Sequence, residues 1–145
     1  MRRSLGHGLE LDDDPARVDV AAVHAFLAEQ SYWARGRARE VQERLVREAS
    51  RVVGLYDRSL QIGFARAVSD GNSIAYLADV YVLPDYRGRG LGLELVREMV
   101  ERGPLAGVRW SLHTEDAHDL YRKLGFEAPG PRAMERPPAP PSPRE

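Results

Sequence analysis

The sequence predicts an α/β domain built on one mixed sheet. Strand-length apolar segments alternate with segments whose apolar residues recur at helical spacing. Three of the strand-like segments follow one another through short polar turns, which makes an antiparallel meander. The next strand lies beyond a helix-length stretch, which calls for a parallel crossover. At 145 residues the chain suits one domain with a real core.

GLELDD is the first strand. Asp19 caps a helix that carries Val20, Val23, Phe26 and Leu27 on one side. SYWARGR is a loop, and a second helix follows with Val41, Leu45, Val46 and Ala49 at helical spacing. RVVGLYD and LQIGFARAVSD form a hairpin across the polar turn at Asp57 to Ser59. Asp70-Gly71-Asn72 is a second turn, and SIAYLADVYVLP is the third meander strand. A helix then spans about Gly90 to Arg102, with Leu91, Leu95, Val96, Met99 and Val100 inward, and Gly103-Pro104 stops it. GVRWSLH is a strand. Thr114 caps a last helix with Ala117, Leu120, Tyr121 and Leu124 inward, which Gly125 ends. Phe126 opens a further strand, and RAME is a short final one. The domain is expected over residues 1–136. Seven of the ten prolines follow residue 128, so residues 137–145 are expected to be a disordered or polyproline-like tail.

Net charge is −1, which removes any bulk electrostatic case for nucleic acid or an anionic membrane. No apolar run is long enough to span a bilayer, and MRRSLGHGLELDDD has no apolar core of the kind a signal peptide carries. Cysteine is absent. That excludes disulfides, thiolate metal sites and a cysteine nucleophile, and it fits a cytoplasmic protein. His113 and His118 lack helical i, i+4 spacing and a carboxylate partner in a metal-ligand pattern, so no metal is expected.

The stretch YRGRGLG, residues 86–92, carries more glycine than a strand-to-helix turn requires. At a helix N-terminus, unpartnered N–H groups and the positive dipole end attract anions. Gly88, Gly90 and Gly92 remove side chains so that a ligand can approach the main chain, and Arg87 and Arg89 add positive charge. A diphosphate is the natural guest. Neither a P-loop nor a dinucleotide GxGxxG is present, because the third small position of the latter is Leu93. Arg87, Gly90 and Gly92 instead satisfy the pattern Arg/Gln-x-x-Gly-x-Gly/Ala.

That pattern resembles the coenzyme A pyrophosphate loop of the GNAT-type N-acetyltransferases. DVYVLPDYRGRGLGLELV is similar to the family's motif A over its whole length, and DAHDLYRKLGF to its motif B, in correct order and separation. The resemblance implies a GNAT-type acyl-CoA acyltransferase fold, with the antiparallel meander in the sheet's N-terminal part, a splayed parallel pair at the cofactor site and about four helices. It implies acetyl-CoA as cosubstrate, bound by the main chain of Val80, Tyr81 and Val82 at a bulge and by Arg87, Gly88, Arg89, Gly90, Leu91 and Gly92. Thr114, which replaces the family's usual asparagine, and Ala117 are placed beside the pantetheine arm. A free N–H on the splayed strand can also polarise the thioester carbonyl and hold an oxyanion.

Tyr121 matches the motif B tyrosine, whose implied role is to donate a proton to the departing thiolate; its other reading is an amphipathic core tyrosine. Two candidates stand for the base that deprotonates the acceptor ammonium. Asp79 holds the position of the second of two adjacent acids in the polyamine acetyltransferases, and is otherwise a structural carboxylate. His113, at the end of the next strand, is the second candidate by its intrinsic pKa, and is otherwise an ordinary strand-end histidine. The segment between the first two helices commonly lines the acceptor pocket in this family. It offers Tyr32 and Trp33 to stack on or wall the acceptor, and Arg35 and Arg37 for a carboxylate or phosphate on it; the other reading is that Trp33 packs the helices together and the arginines face water. The expected reaction is direct attack of a primary amine, on a small molecule or a peptide, in a ternary complex; similar proteins also make a homodimer an expectation. The rival readings are a non-catalytic acyl-CoA-binding module and a nucleotide-dependent enzyme using the same loop.

Overall fold

The computed structural model describes residues 1–140. The expected tail, residues 137–145, lies largely outside the described residues. Six strands and four α-helices follow in the order β1 (Arg2–Gly6), β2 (Leu9–Asp12), α1 (Val20–Gln30), α2 (Arg39–Glu48), β3 (Arg51–Asp57), β4 (Leu60–Ser69), β5 (Ile74–Val82), α3 (Leu91–Glu101), β6 (Arg109–Ser111) and α4 (His118–Arg122). The strands form one sheet in sequence order, β1-β2-β3-β4-β5-β6. All neighbours are antiparallel except β5 and β6, which are parallel across α3, as the crossover required.

The sheet carries apolar cores on both faces. Leu91, Leu95, Val96, Met99 and Val100, the face of α3 read from its spacing, are all buried and pack with Val53, Leu55, Ile62, Ala65, Ala67 and Leu77. Burial of each such aliphatic side chain contributes about 1.5–3 kcal/mol. On the opposite face Val23, Phe26 and Leu27 of α1 and Val46 of α2 pack with Val52, Phe64 and Tyr81. Asp19 caps α1 by accepting from the Ala22 N–H at 3.1 Å. The Asp70-Gly71-Asn72 turn forms as read, with Gly71 at φ +81°. The Asp70 carboxylate accepts from the Ser73 hydroxyl and from the main chain of Ser73, Asn72 and Ile74, which together hold it well below the ordinary carboxylate range.

Three sequence expectations are corrected. The first strand is a hairpin, because Arg2–Gly6 turns back through Gly6-His7-Gly8 onto Leu9–Asp12. The last helix does not begin at Thr114; it is the five-residue turn His118–Arg122. No strand forms over Phe126 or RAME among the described residues. Pro129 and Pro131 remove N–H donors there, so β6 is left as a sheet edge.

Candidate active site

β5 and β6 pair only at Ile74–Arg109, Ala75–Trp110 and Tyr76–Ser111. Beyond Tyr76, β5 runs on to Val82 while β6 ends at Ser111, so the strands part and one edge of Leu77–Val82 faces an opening. On its other edge β5 pairs with β4, with Arg66 opposite Ala78 and Phe64 opposite Tyr81. Asp79 and Val80 therefore lie opposite the single residue Ala65, which is a β-bulge. Asp79 takes the left-handed conformation, φ 57°, which aspartate tolerates better than most side chains.

β5 leads through a short 3-10 turn, Pro84–Tyr86, into the glycine turn. Gly88 and Gly90 have φ of +79° and +76°, and Gly90 is the N-cap of α3. The first amide at this end with a partner is that of Glu94, which donates to the Gly90 carbonyl at 3.2 Å. Among the described residues, the amides of 88–93 donate to no main-chain or side-chain acceptor. A Cβ placed on Gly88 or Gly90 meets nothing within 4 Å, so the space over the turn is open. Gly92 differs: its Cβ falls 3.2 Å from a Leu120 methyl, so this glycine seats α3 beside α4. Arg87 lines the cleft and donates from Nε to the Val82 carbonyl at 3.0 Å, while its terminal amino groups have no hydrogen-bond partner among the described residues. Arg89 instead lies over the Tyr86 ring, outside the cleft lining.

The opening between β5 and β6 and the glycine turn belong to one cleft of about 990 Å³. Val80, Tyr81, Val82, Leu91, Thr114, Ala117 and Tyr121 line it. Tyr81 and Leu91 are core side chains, Tyr81 stacking on Phe26 at 4.1 Å, so main chain is what these two offer a ligand. The Thr114 hydroxyl accepts from the Ala117 N–H at 3.1 Å and tightens the approach to α4. Tyr121 is buried edge-on to Phe126, yet its hydroxyl has no hydrogen-bond partner among the described residues and is not enclosed. Burial pushes this phenol up to about 12, so it stays protonated at neutral pH.

The acceptor-side residues are arranged differently from their expected roles. The Asp79 side chain is only 1% exposed and accepts from Trp33 Nε1, Arg37 Nη1 and Arg66 Nε, each at 2.9 Å. Burial alone raises its proton affinity, but the Arg37 hydrogen bond and the Arg66 and Arg37 charges outweigh that and hold the carboxyl below its ordinary range. A carboxylate with three donors and depressed basicity is a poor proton acceptor, so the geometry supports the structural reading of Asp79. Arg37 is occupied by Asp79 and Gln42, which takes from it the free anion-binding role. Tyr32 and Trp33 are half-exposed, meet edge to face at 5.0 Å and wall the cleft; the Tyr32 hydroxyl accepts from the Glu115 N–H at 2.8 Å. His113 also lines the cleft, bonded to Tyr76 and Glu135. Arg66, Tyr76 and Glu135 were not singled out from the sequence. Arg66 alone left a signal, a lone cation in the apolar run IGFARAV that requires a buried acid.

A family model of the acetyltransferase (GNAT) domain matches residues 48–128, more than half of the chain. The chain belongs to the GNAT acetyltransferase family. The solved structure of a GNAT-family protein from Xanthomonas campestris pv. campestris shares the fold with TM-score 0.84 and 33% identity, over 92% of this chain and 94% of that one. A GNAT-family acetyltransferase from Brucella melitensis, solved in complex with acetyl-CoA, shares the fold with TM-score 0.65 and 20% identity, over 85% of each chain. In sequence, the Gibberella zeae protein FG08082, named as an acetyltransferase, is 28% identical over 79% of this chain and 76% of its own. Glucosamine 6-phosphate N-acetyltransferase of Trypanosoma brucei brucei is 34% identical over 54% of this chain, which spans about half, 52%, of that enzyme. In this GNAT domain the bulge, the glycine turn and the motif B tyrosine converge on one cleft. Among the described residues, no helix is long and apolar enough to cross a membrane.

Proposed function

We propose that this GNAT domain transfers an acetyl group from acetyl-CoA to a primary amine, by direct attack in a ternary complex. The observation that carries the reading is the set of unpartnered amides at 88–93, beside an open strand edge and a free phenol in the same cleft. The amides and the start of α3 suit a diphosphate, with the Arg87 amino groups beside it. The free edge of Leu77–Val82 suits the amides of a pantetheine arm, which would lie against it as a neighbouring strand. The Tyr121 hydroxyl suits the sulfur end. Burial makes it a weak acid, so its contribution is hydrogen-bond donation to the charge that develops on the leaving thiolate. Tyr32 and Trp33 suit a small-molecule or peptide amine, and glucosamine 6-phosphate, in the trypanosome relative's name, is a primary amine. His113 replaces Asp79 as the proton acceptor in this reading. The cysteine-free composition accords with a cytoplasmic enzyme and with no covalent acyl relay.

Calorimetry against acetyl-CoA, ATP and NAD, followed by an amine screen read as free CoA thiol, tests the reading. Acetyl-CoA is expected to bind and at least one amine to release thiol. Tyr121→Phe is expected to lower kcat by roughly 10²-fold with acetyl-CoA affinity unchanged. Binding of ATP or NAD in place of acetyl-CoA would overturn the reading. Acetyl-CoA binding with no thiol release across the amine panel would leave a binding module.

A further inference from the structure

Three side chains meet where β5 and β6 part. The Tyr76 hydroxyl lies 2.6 Å from His113 Nδ1, and His113 Nε2 contacts the Glu135 carboxylate. Tyr76 faces Ser111, the last paired residue of β6, and His113 stands two residues further along, on the same side of the strand direction. Glu135 arrives from the irregular segment that follows α4. An ionised carboxylate only accepts, so Nε2 of His113 carries a proton. In the neutral ring Nδ1 is then the acceptor, and the Tyr76 O–H donates to it. That order leaves the Tyr76 oxygen with lone-pair capacity for a donor in the cleft. Tyr76 and His113 line this cleft with Tyr32, Trp33 and Tyr121.

We propose that Tyr76, His113 and Glu135 form a proton relay that deprotonates the acceptor's ammonium, a role that rests on the acetyl-transfer reading above. An ammonium N–H donates to the Tyr76 oxygen. Its proton passes to that oxygen as the phenolic proton passes to His113 Nδ1. The products are a neutral amine and a cationic imidazole whose Nε2–H faces Glu135. The amine nitrogen then forms its bond to the thioester carbon as the carbon–sulfur bond breaks. Tyr121 holds the leaving sulfur by a hydrogen bond, and the thiolate takes its proton from the second N–H of the nitrogen that has attacked. His113 is 66% exposed and Glu135 62%, so the imidazole returns its proton to water between turnovers. Burial and the Glu135 charge keep Tyr76 itself protonated. Asp79 cannot serve here, since three donors already occupy it. Glu135 touches no reacting atom and is a positioning residue.

The relay is tested on the full chain in two ways. Imidazole ¹⁵N–¹H spectra resolve four histidines, and His113 is assigned by its loss in His113→Asn. The wild type is expected to show the tautomer protonated on Nε2. Glu135→Ala and Tyr76→Phe are each expected to shift the His113 signals toward a mixed tautomer. Kinetics then compare ethylamine, an ammonium at neutral pH, with methoxyamine, which is unprotonated there. His113→Ala is expected to lower kcat for ethylamine by roughly 10²-fold, to change methoxyamine turnover little, and to leave the KM for acetyl-CoA unchanged. Equal losses for both amines, or His113 signals indifferent to Tyr76→Phe and Glu135→Ala, overturn the relay while acetyl transfer stands. A wild type that binds acetyl-CoA but releases thiol with no amine, these two and the panel above included, overturns the transfer reading, and the relay falls with it.

Discussion

Asp79→Asn separates a structural carboxylate from a catalytic one. Asparagine keeps the size and tolerates the left-handed backbone at φ 57°, so the substitution isolates charge. In the wild type, Asp79 accepts from Trp33, Arg37 and Arg66. Trp33 donates to Oδ1 and both guanidiniums to Oδ2, so an asparagine, with one carbonyl oxygen, loses either the Trp33 bond or both guanidinium bonds, and both guanidiniums lose the countercharge. Removing one member of a buried ion pair costs about 3–5 kcal/mol, and each hydrogen bond to a charged group is worth about 1.5–3 kcal/mol. The Arg37 and Arg66 side chains keep 17% and 11% exposure, so water recovers part of the loss. About 3 kcal/mol is expected, and with a urea slope of about 2 kcal/mol/M this lowers the midpoint by about 1.5 M at pH 7. The pH dependence has a definite sign. The folded carboxyl is held below its ordinary value, so its stabilisation is complete above the unfolded pKa near 4 and is lost as pH falls through the folded value. The gap between wild type and variant is therefore expected to narrow in acid. A midpoint within about 0.3 M of wild type at pH 7, well below the shift implied by a buried pair, would refute the reasoning. The refutation would be stronger if kcat then fell by roughly 10²-fold, as for a general base.

Two further substitutions probe the cofactor side. Gly90→Ala places a Cβ in open space at φ +76°; a stability loss of about 1 kcal/mol is expected, with a larger loss of acetyl-CoA affinity by calorimetry, because the methyl enters the place proposed for the diphosphate. Gly63→Ala brings a Cβ to 2.9 Å from the Tyr81 carbonyl and 3.2 Å from Leu55, which forces β4 and β5 apart beside the bulge. A loss of about 1–3 kcal/mol in urea denaturation is expected.

What the sequence made legible was what local physics determines. The inner face of α3 follows from apolar spacing alone, and the glycine turn follows from residue types that only an approaching ligand requires. β1 was illegible because an exposed edge strand needs no apolar alternation. Arg2 and Arg3 are held by Asp12 and by Glu98, the latter 95 residues away. The last strand failed for the opposite reason: Phe126 and RAME carry a strand-like signal, but Pro129 and Pro131 break the main-chain ladder between them.

The acceptor side shows why polar networks resist reading from sequence. Asp79 looks like a base by position, and its meaning changes once the fold brings Arg37, 42 residues away, and Arg66, 13 residues away, onto the same carboxylate. A left-handed bulge turns this side chain away from the alternation of β5, and the charge is then neutralised twice over. The bulge has two consequences from one cause. It interrupts the β4–β5 ladder beside the opening, and it directs a carboxylate inward to clamp Trp33 and Arg37 of the loop that walls the cleft. The anchoring of the cleft wall proposed to meet the acceptor and the irregular strand proposed to meet the thioester are therefore one feature. A substitution at Asp79 is expected to disturb both together, with the KM for the amine rising in step with the loss of stability.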